Sequence, residues 1–448
     1  METRVLDEVK SGPMSRFQVL AVALCVLMNM LDGFDVLAMA FVGPHISSDW
    51  HLTGKQLGYL LSAGLFGMAA GSVIVAPAAD RVGRRVLILL CLPTIAGGML
   101  LSAFAQDTTQ LTILRLITGL GIGGILPSIN VITAEYSSDR WRNTAISLEV
   151  SGYPIGATVG GIAAASILVH YGWRGVFAFG GLLTALLIPL VMRGLPESID
   201  FLVSRQPADA LEKLNSVLRR MGRSSITELP VRDLSEQKAG QRPWAAIVSG
   251  PLKYRTLALC VTWLMVMFSV YFVLSWTPKL IVAAGMTPHE GLRAGILLNV
   301  GGIFGGILFG LLSLKVRTRP LLCVYFMFTA VLFACLGLYV TSPLYSSLLC
   351  VIGGVGAFGC MVGMYAITPV LYPAECRNTA MGWALGVGRL GAVIAPIAAG
   401  TLIDMAWTPT RIYLLFALPL VVAIGTVSMT RQSKVSYKEV HRPAVSEG

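Results

Sequence analysis

The sequence predicts an all-α membrane protein whose twelve transmembrane helices form two pseudo-symmetric six-helix halves. Composition is the first reason. Of 448 residues, 55% are hydrophobic and 13% charged, with a mean hydropathy of +0.73. A soluble chain carries about 25% charged residues, so this one has too little polar surface to cover a water-soluble body of its size. A cytosolic enzyme, a disordered chain and a nucleic-acid binder are thereby excluded. The second reason is a succession of apolar stretches of about 20 residues, the length that crosses a bilayer. The third is an internal repeat. Arg142-Asn143-Thr144-Ala145 returns as Arg377-Asn378-Thr379-Ala380, an offset of 235 residues, and the same offset carries Gly67 and Gly71 onto Gly302 and Gly306, and Arg84 onto Arg319.

The twelve spans are read as 17–41, 57–79, 86–105, 111–134, 144–169, 176–192, 257–280, 292–314, 321–340, 344–371, 379–403 and 411–429. They divide the chain into an amino-terminal half (1–192), a central loop (193–256), a carboxy-terminal half (257–429) and a tail (430–448). The first span is too long for a cleavable signal peptide, and Asp32 and Asp35 interrupt it before any small-residue cleavage site. Of the 34 Lys and Arg, 27 fall in the two termini and the loops after even-numbered spans, and five on the opposite side. That asymmetry predicts that both termini are cytoplasmic. The net charge of +11 is then a topology signal, and no nucleic-acid partner is expected. The eight Cys are scattered without CxxC spacing, and no HExxH occurs, so neither a metal site nor a disulfide framework is expected. The 48 Gly suit close helix packing in lipid.

Charged residues inside a span mark functional candidates by default. Span 1 carries Asp32 and Asp35 one turn apart on one face. Two carboxylates so close in a low dielectric cannot both ionise cheaply, which is what a proton carrier needs. Arg115 of span 4 lies at a similar depth, roughly 9–14 Å below the outer boundary at 1.5 Å per residue. The cluster reads either as a coupling site or as a structural ion pair. Glu149 of span 5 either pairs with nearby basic loops or joins proton transfer. Arg389 of span 11 lies about 15 Å from the cytoplasmic edge, near the midplane. Gly386, Gly388 and Gly391 flank it, and spans 7 to 12 offer no acid to neutralise it. A guanidinium placed there suits a carboxylate ligand. Asn299 of span 8 is positioned to hydrogen-bond a ring hydroxyl, and Phe34, Tyr153, Tyr271, Phe304, Tyr365 and Trp383 are candidate ring-packing surfaces. All five His (45, 51, 170, 289 and 441) are read as lying in loops or tails, which argues against a histidine relay.

Between spans 2 and 3 the chain reads Asp80-Arg81-Val82-Gly83-Arg84-Arg85, with Ala76 four residues earlier. This resembles the signature of the major facilitator superfamily, in which a Gly takes the place of Ala76. Arg115-Leu-Ile-Thr-Gly119 resembles that family's second signature. Asp32-Gly33-Phe34-Asp35, Glu135-Tyr136-Ser137, Tyr271-Phe272 with Trp276-Thr277-Pro278, and Gly386-Val-Gly388-Arg389 are similar to the aromatic acid:proton symporters within it. The resemblance covers essentially the whole chain. It implies two parallel halves with a substrate site near the bilayer midplane, uptake of an aromatic carboxylate with protons, no cofactor, and a functional monomer. It assigns Asp80, Arg81, Gly83, Arg84, Arg85, Glu135, Arg142, Glu375 and Arg377 to gating, with Asp80 capping a neighbouring helix end and pairing with cytoplasmic charges. Leu195-Pro196-Glu197-Ser198 is shared more widely in the superfamily, where Pro and Arg follow. Ile199 and Asp200 stand here, which puts a gating role for that element in doubt. Drug–proton antiporters are the alternative on the same fold. They typically carry Gly-Pro-x-x-Gly-Gly in span 5, where this chain has Gly152-Tyr-Pro154-Ile-Gly156.

Overall fold

The computed structural model describes residues 12–229, 252–372 and 374–430, excluding the side chains of 143, 369 and 374–379. Among the described residues every regular element is helical. Span 1 is Arg16–Asp49, opened by a capping box in which Ser15 and Gln18 satisfy each other's amides. Span 2 is Gly54–Ile74, with the same device at Thr53 and Gln56. Span 3 is Arg84–Ser102, and span 4 is Thr108–Glu135, capped by Asp107. Spans 5 and 6 run as Arg142–Gly194. Those 53 residues would measure about 80 Å as one helix, far beyond a hydrocarbon core of about 30 Å. The run breaks at Gly172 (φ 64°, ψ −171°), a conformation a side chain would strain, and so makes two crossings. The later spans are Lys253–Ala283, Pro288–Ser313, Thr318–Leu338, Pro343–Ile367, Ala374–Asp404 and Pro409–Met429. Eleven of these helices are long and apolar enough to span a membrane, and with one carrying two crossings the count is twelve.

Several bounds differ from the sequence reading because polar ends extend the helices beyond their apolar cores. Span 1 continues eight residues past Phe41, so His45 is helical, and His170 and His289 are helical as well. Lys279, one of the five charges counted on the opposite side, lies inside span 7. The central loop is not featureless. Ile199–Arg205 and Ala210–Arg220 are helices, the second burying Ala210, Leu214, Val217 and Leu218 on one face. Residues 230–251 and the tail from 431 lie outside the described residues.

The chain forms two compact units. The first comprises Met1–Asp233, Leu274–Val300 and Pro396–Ala406; the second comprises Leu234–Val273, Gly301–Ala395 and Trp407–Gly448. This division departs from a plain six-plus-six cut, since parts of spans 7, 8 and 11 group with the first unit. In the first unit span 1 packs on spans 5 and 6, and span 2 on span 4. The span 2–span 4 seam is a backbone contact. A methyl group on Gly67, Gly71, Gly119 or Gly123 would strike the facing helix's carbonyls, the small-residue packing favoured where lipid is the solvent. In the second unit span 9 packs on spans 10 and 12, and Gly301 and Gly305 of span 8 lie against the backbone at Val351 and Val355 of span 10. The close-approach positions of span 8 are therefore one residue earlier than the 235-residue offset implies.

Candidate functional site

Inside the first unit, Arg115 and Asp35 form an ion pair. Arg115 Nη1 donates to Asp35 Oδ1 at 3.0 Å, Nη2 donates to Thr118 Oγ1 at 3.0 Å, and the guanidinium sits 5.0 Å from the centre of the Phe177 ring. Arg115 is 2% exposed and Asp35 4%. Asp32 lines a narrow cavity together with Asp35, Leu92, Ile125 and Thr184, walled by spans 1, 3, 4 and 6. A second cavity, on the span 2 side, touches Asp35, Arg115 and Gly119. The two span 1 acids are placed differently: Asp35 pairs with Arg115 and touches both cavities, whereas Asp32 lines the first. An ion pair this dry persists only because each charge neutralises the other.

Backbone packing holds the site in place. Gly33 faces the Tyr153 carbonyl and Gly156 faces that of Met30, so spans 1 and 5 touch without intervening side chains. Below this contact Asn29 donates its side-chain amide to the backbone carbonyl of Glu149 at 2.6 Å. Glu149 is 1% exposed, and neither of its carboxyl oxygens has a hydrogen-bond partner among the described residues. It forms no ion pair with the basic loops there, which removes that alternative for the described residues.

The loop after span 2 is held by an acid the sequence reading left in doubt. Gly83 has φ 101°, which only glycine adopts freely. That turn presents the first amides of span 3 to Glu197, whose Oε1 accepts from Arg84 N at 2.8 Å and Arg85 N at 3.0 Å. Glu135 closes the neighbouring helix by accepting from Ile199 N and Ser198 Oγ, both at 2.8 Å. Arg84 Nη1 reaches Ser198 Oγ at 2.9 Å, and Arg85 Nη2 the Met192 carbonyl at 2.6 Å. Asp80 was expected to cap a helix end and pair with cytoplasmic charges. It pairs with Arg84, four residues on, at 3.6 Å, the charge-pairing half of that reading, while Glu197 makes the cap. Arg81 and Arg142 are exposed. The side chains of Glu375 and Arg377 lie outside the described residues.

The first unit also contains a seam that sequence reasoning missed. Asp404, the last residue of span 11, accepts from Gly54 N at 2.6 Å and Lys55 N at 2.8 Å, capping span 2. Beside it Gly54 and Gly400 meet backbone to backbone, Trp276 Nε1 donates to the Pro396 carbonyl at 3.0 Å, and Lys279 Nζ to Ser47 Oγ at 3.0 Å. An acid at the end of one apolar span and a glycine at the start of another were the only available signal.

The aromatic candidates are scattered. Phe34 is 3% exposed, its ring enclosed by Gly160, Gly180 and Phe179, so it is interior packing of the first unit and not an open ring platform. Asn299 is buried in the same unit and donates to the Gly295 carbonyl at 2.9 Å, leaving Oδ1 without a hydrogen-bond partner among the described residues. Phe304 lies about 140° around span 8 from Asn299 at 3.6 residues per turn. It shares an exposed apolar stripe with Ile307, Leu308 and Leu311, on a different side of span 8 from Asn299. In the second unit Tyr365 lies edge-on to Trp263 at 5.0 Å, Tyr271 is half-buried, and Trp383 is exposed. Arg389 is half-buried, on the face of span 11 that carries Gly382 and Gly386, where an added methyl would meet nothing within 4 Å. No described carboxylate forms an ion pair with it.

Twelve crossings among the described residues, helices sealed by glycine seams and a buried charge pair describe a polytopic membrane protein. The chain belongs to the Major Facilitator Superfamily, whose family model matches residues 22–396. Among curated proteins it is 32% identical to a gallate transporter of Pseudomonas putida, over 93% of this chain and 92% of that one. It is 30% identical to the 4-hydroxybenzoate transporter PcaK of the same organism, over 96% of each. It is 28% identical to the 3-(3-hydroxy-phenyl)propionate transporter of Escherichia coli K12, over 93% and 95%. Among solved structures, the inward open xylose transporter XylE from E. coli superposes with a TM-score of 0.71 at 18% identity, covering 92% of this chain and 96% of that one. A bacterial homologue of the lysosomal transporter Spinster gives 0.68 at 17%, covering 93% and 96%. These two likenesses bear on the fold alone.

Proposed function

We propose that this protein imports an aromatic carboxylate together with protons across the cytoplasmic membrane, by alternating access, with both termini in the cytoplasm. The observation that carries the reading is the buried Arg115–Asp35 pair beside Asp32. Keeping a charge pair in the membrane layer is costly, and two acids one turn apart that line one cavity give a carboxyl that gains and loses a proton as solvent reaches it. Arg389 supports the anionic substrate, since a guanidinium on an open helix face, without an ion pair among the described residues, has a carboxylate as its natural partner. "Aromatic" rests on the relatives, which are transporters of gallate, 4-hydroxybenzoate and 3-(3-hydroxy-phenyl)propionate. Export of drugs or other organic anions is the second reading, and Gly152-Tyr-Pro154-Ile-Gly156 in span 5 counts against it.

The test is uptake by cells expressing the protein of a radiolabelled panel comprising benzoate, 4-hydroxybenzoate, protocatechuate, gallate and a phenylpropionate. At least one acid is accumulated, and a protonophore abolishes the accumulation. Accumulation of none, with faster efflux of preloaded acids, establishes the exporter instead. Accumulation that survives the protonophore overturns the proton coupling.

A further inference from the structure

We propose that Glu149 is a second proton-binding site of the amino-terminal half, separate from the Asp32–Asp35–Arg115 cluster and connected to it along one side of span 1. This rests on the proton-coupled reading above and adds to it a residue, a route and a stoichiometry. Three observations carry it.

The carboxyl is dry and unsatisfied. Glu149 is 1% exposed, and both its oxygens lack a hydrogen-bond partner among the described residues. An ionised carboxylate so placed would bear the full desolvation cost with nothing to offset it. In this conformation the group is therefore the neutral acid, Glu149–COOH. The dryness has a structural cause. Gly152, one turn on, lies against the Val26 carbonyl, and Gly156 against that of Met30, so spans 1 and 5 close too tightly here to admit water.

Among the described residues, the surroundings contain no compensating charge. Span 1 presents Cys25, and its Asn29 donates to the backbone carbonyl of Glu149; Thr133 of span 4 lies against Cys25. Of these neighbours only the Cys25 thiol is titratable. On its own helix the next titratable group is Tyr153, one turn away. No Lys, Arg or His forms an ion pair with Glu149 among the described residues. A purely structural buried acid would be expected to carry such a partner, and this one has only neutral neighbours.

The position forms a line. Asp35, Asp32, Asn29 and Cys25 follow each other at intervals of three, three and four residues, so they occupy one side of span 1. Arg115 meets the line at Asp35, and the backbone carbonyl of Glu149 meets it at Asn29. Glu149 lies seven residues, about 10 Å, from the Arg142 end of span 5, the end that loop charge assigns to the cytoplasm. The step is a simple ionisation. When spans 1 and 5 part enough to admit water, Glu149–COOH releases its proton to cytoplasmic water and becomes the carboxylate. Reclosure requires that it be reprotonated, because the closed seam tolerates only the neutral form. The proton is thus tied to the conformational cycle by desolvation.

The test uses the full chain in proteoliposomes with radiolabelled 4-hydroxybenzoate as probe. At zero potential and an imposed gradient of about one pH unit, each coupled proton contributes about a factor of ten to steady-state accumulation. Glu149→Gln, which mimics the neutral acid, is expected to lower the accumulation ratio about tenfold while leaving counterflow at equal pH within about twofold of wild type. An unchanged ratio with an unchanged pH dependence overturns the proposal. A wild-type protein that accumulates the probe without regard to the gradient overturns the symport reading itself, so the two failures are distinct. If the probe is not carried, or Glu149→Gln does not reach the membrane, infrared difference spectra of the same vesicles decide. Raising the pH must remove a protonated-carboxyl band that shifts in Glu149→Asp. A band set identical in wild type and Glu149→Asp also overturns the proposal.

Discussion

Glu197 caps span 3 through Arg84: its Oε1 accepts the Arg84 amide at 2.8 Å and the Arg85 amide at 3.0 Å, in the turn that Gly83 makes possible. Asp80, in the same loop, is 65% exposed at its side chain and stands 3.6 Å from the Arg84 guanidinium. A carboxylate holding two otherwise orphaned amides contributes about 1.5–3 kcal/mol, whereas an exposed pair contributes about 0–1 kcal/mol. Glu197→Ala is therefore expected to lower the unfolding temperature in detergent clearly, and Asp80→Asn hardly at all. Thermal unfolding followed by tryptophan fluorescence ranks them, and the reverse order would remove Glu197 from this role. Any loss of transport in Asp80→Asn then reflects gating, not stability.

The Arg115–Asp35 pair makes a second expectation. Removing one partner leaves the other charged, buried and alone, at a cost of about 3–5 kcal/mol. Arg115→Gln and Asp35→Asn should each reduce the amount of folded protein in the membrane. The double variant Asp35→Asn/Arg115→Gln should recover much of that loss while remaining unable to accumulate substrate. Fluorescence-detected gel filtration reports folding, and cell uptake reports function. Recovery of both in the double variant means that the pair is structural and the coupling acid lies elsewhere.

Much of the fold was legible because lipid imposes a simple rule. About 20 apolar residues are needed per crossing, and loop charge, the Arg142/Arg377 repeat and Asp80-Arg81-Val82-Gly83-Arg84-Arg85 give order and family. Asp35 meeting Arg115 was readable from depth alone, since both were counted from span ends. Contacts that depend on rotation about a helix axis were not. Phe34 and Phe304 are aromatic residues at plausible depths, yet one is enclosed by Gly160 and Gly180 and the other lies on an exposed stripe. Hydropathy plots do not encode azimuth when a helix is apolar all round. Glu197 and Asp404 were undervalued for a different reason. Their partners are backbone amides, which leave no complementary residue type in the sequence.

The seam at Asp404 separates two contributions. Asp404 is exposed, and its charged cap on Gly54 and Lys55 contributes about 0.5–2 kcal/mol. The glycine contact beside it is steric, for a side chain on Gly400 would run into the Gly54 backbone. Asp404→Asn is expected to slow uptake modestly, whereas Gly400→Val should abolish it at normal membrane abundance. Uptake rates normalised to immunoblots check this. Full activity in Gly400→Val would show that the seam need not close during transport.

Recognition of the substrate carboxylate by Arg389 is the prediction to test first. Arg389 occupies the face of span 11 kept open by Gly382 and Gly386, and no described carboxylate pairs with it. A half-buried guanidinium in a membrane protein needs an anion, and the planar fork binds a carboxylate through two parallel hydrogen bonds. Lys retains the charge but not the fork, so Arg389→Lys should weaken binding strongly and Arg389→Ala should remove it. A lost charge-assisted pair costs about 2–5 kcal/mol, or roughly 30-fold to several thousand-fold in affinity. The measurement is calorimetric titration of purified wild type and Arg389→Ala with 4-hydroxybenzoate and with its uncharged amide. Wild type should prefer the acid by a wide margin, and the variant should bind both equally weakly. If the variant still discriminates acid from amide, the carboxylate is held elsewhere, and Arg115, already engaged by Asp35, is the next residue to replace.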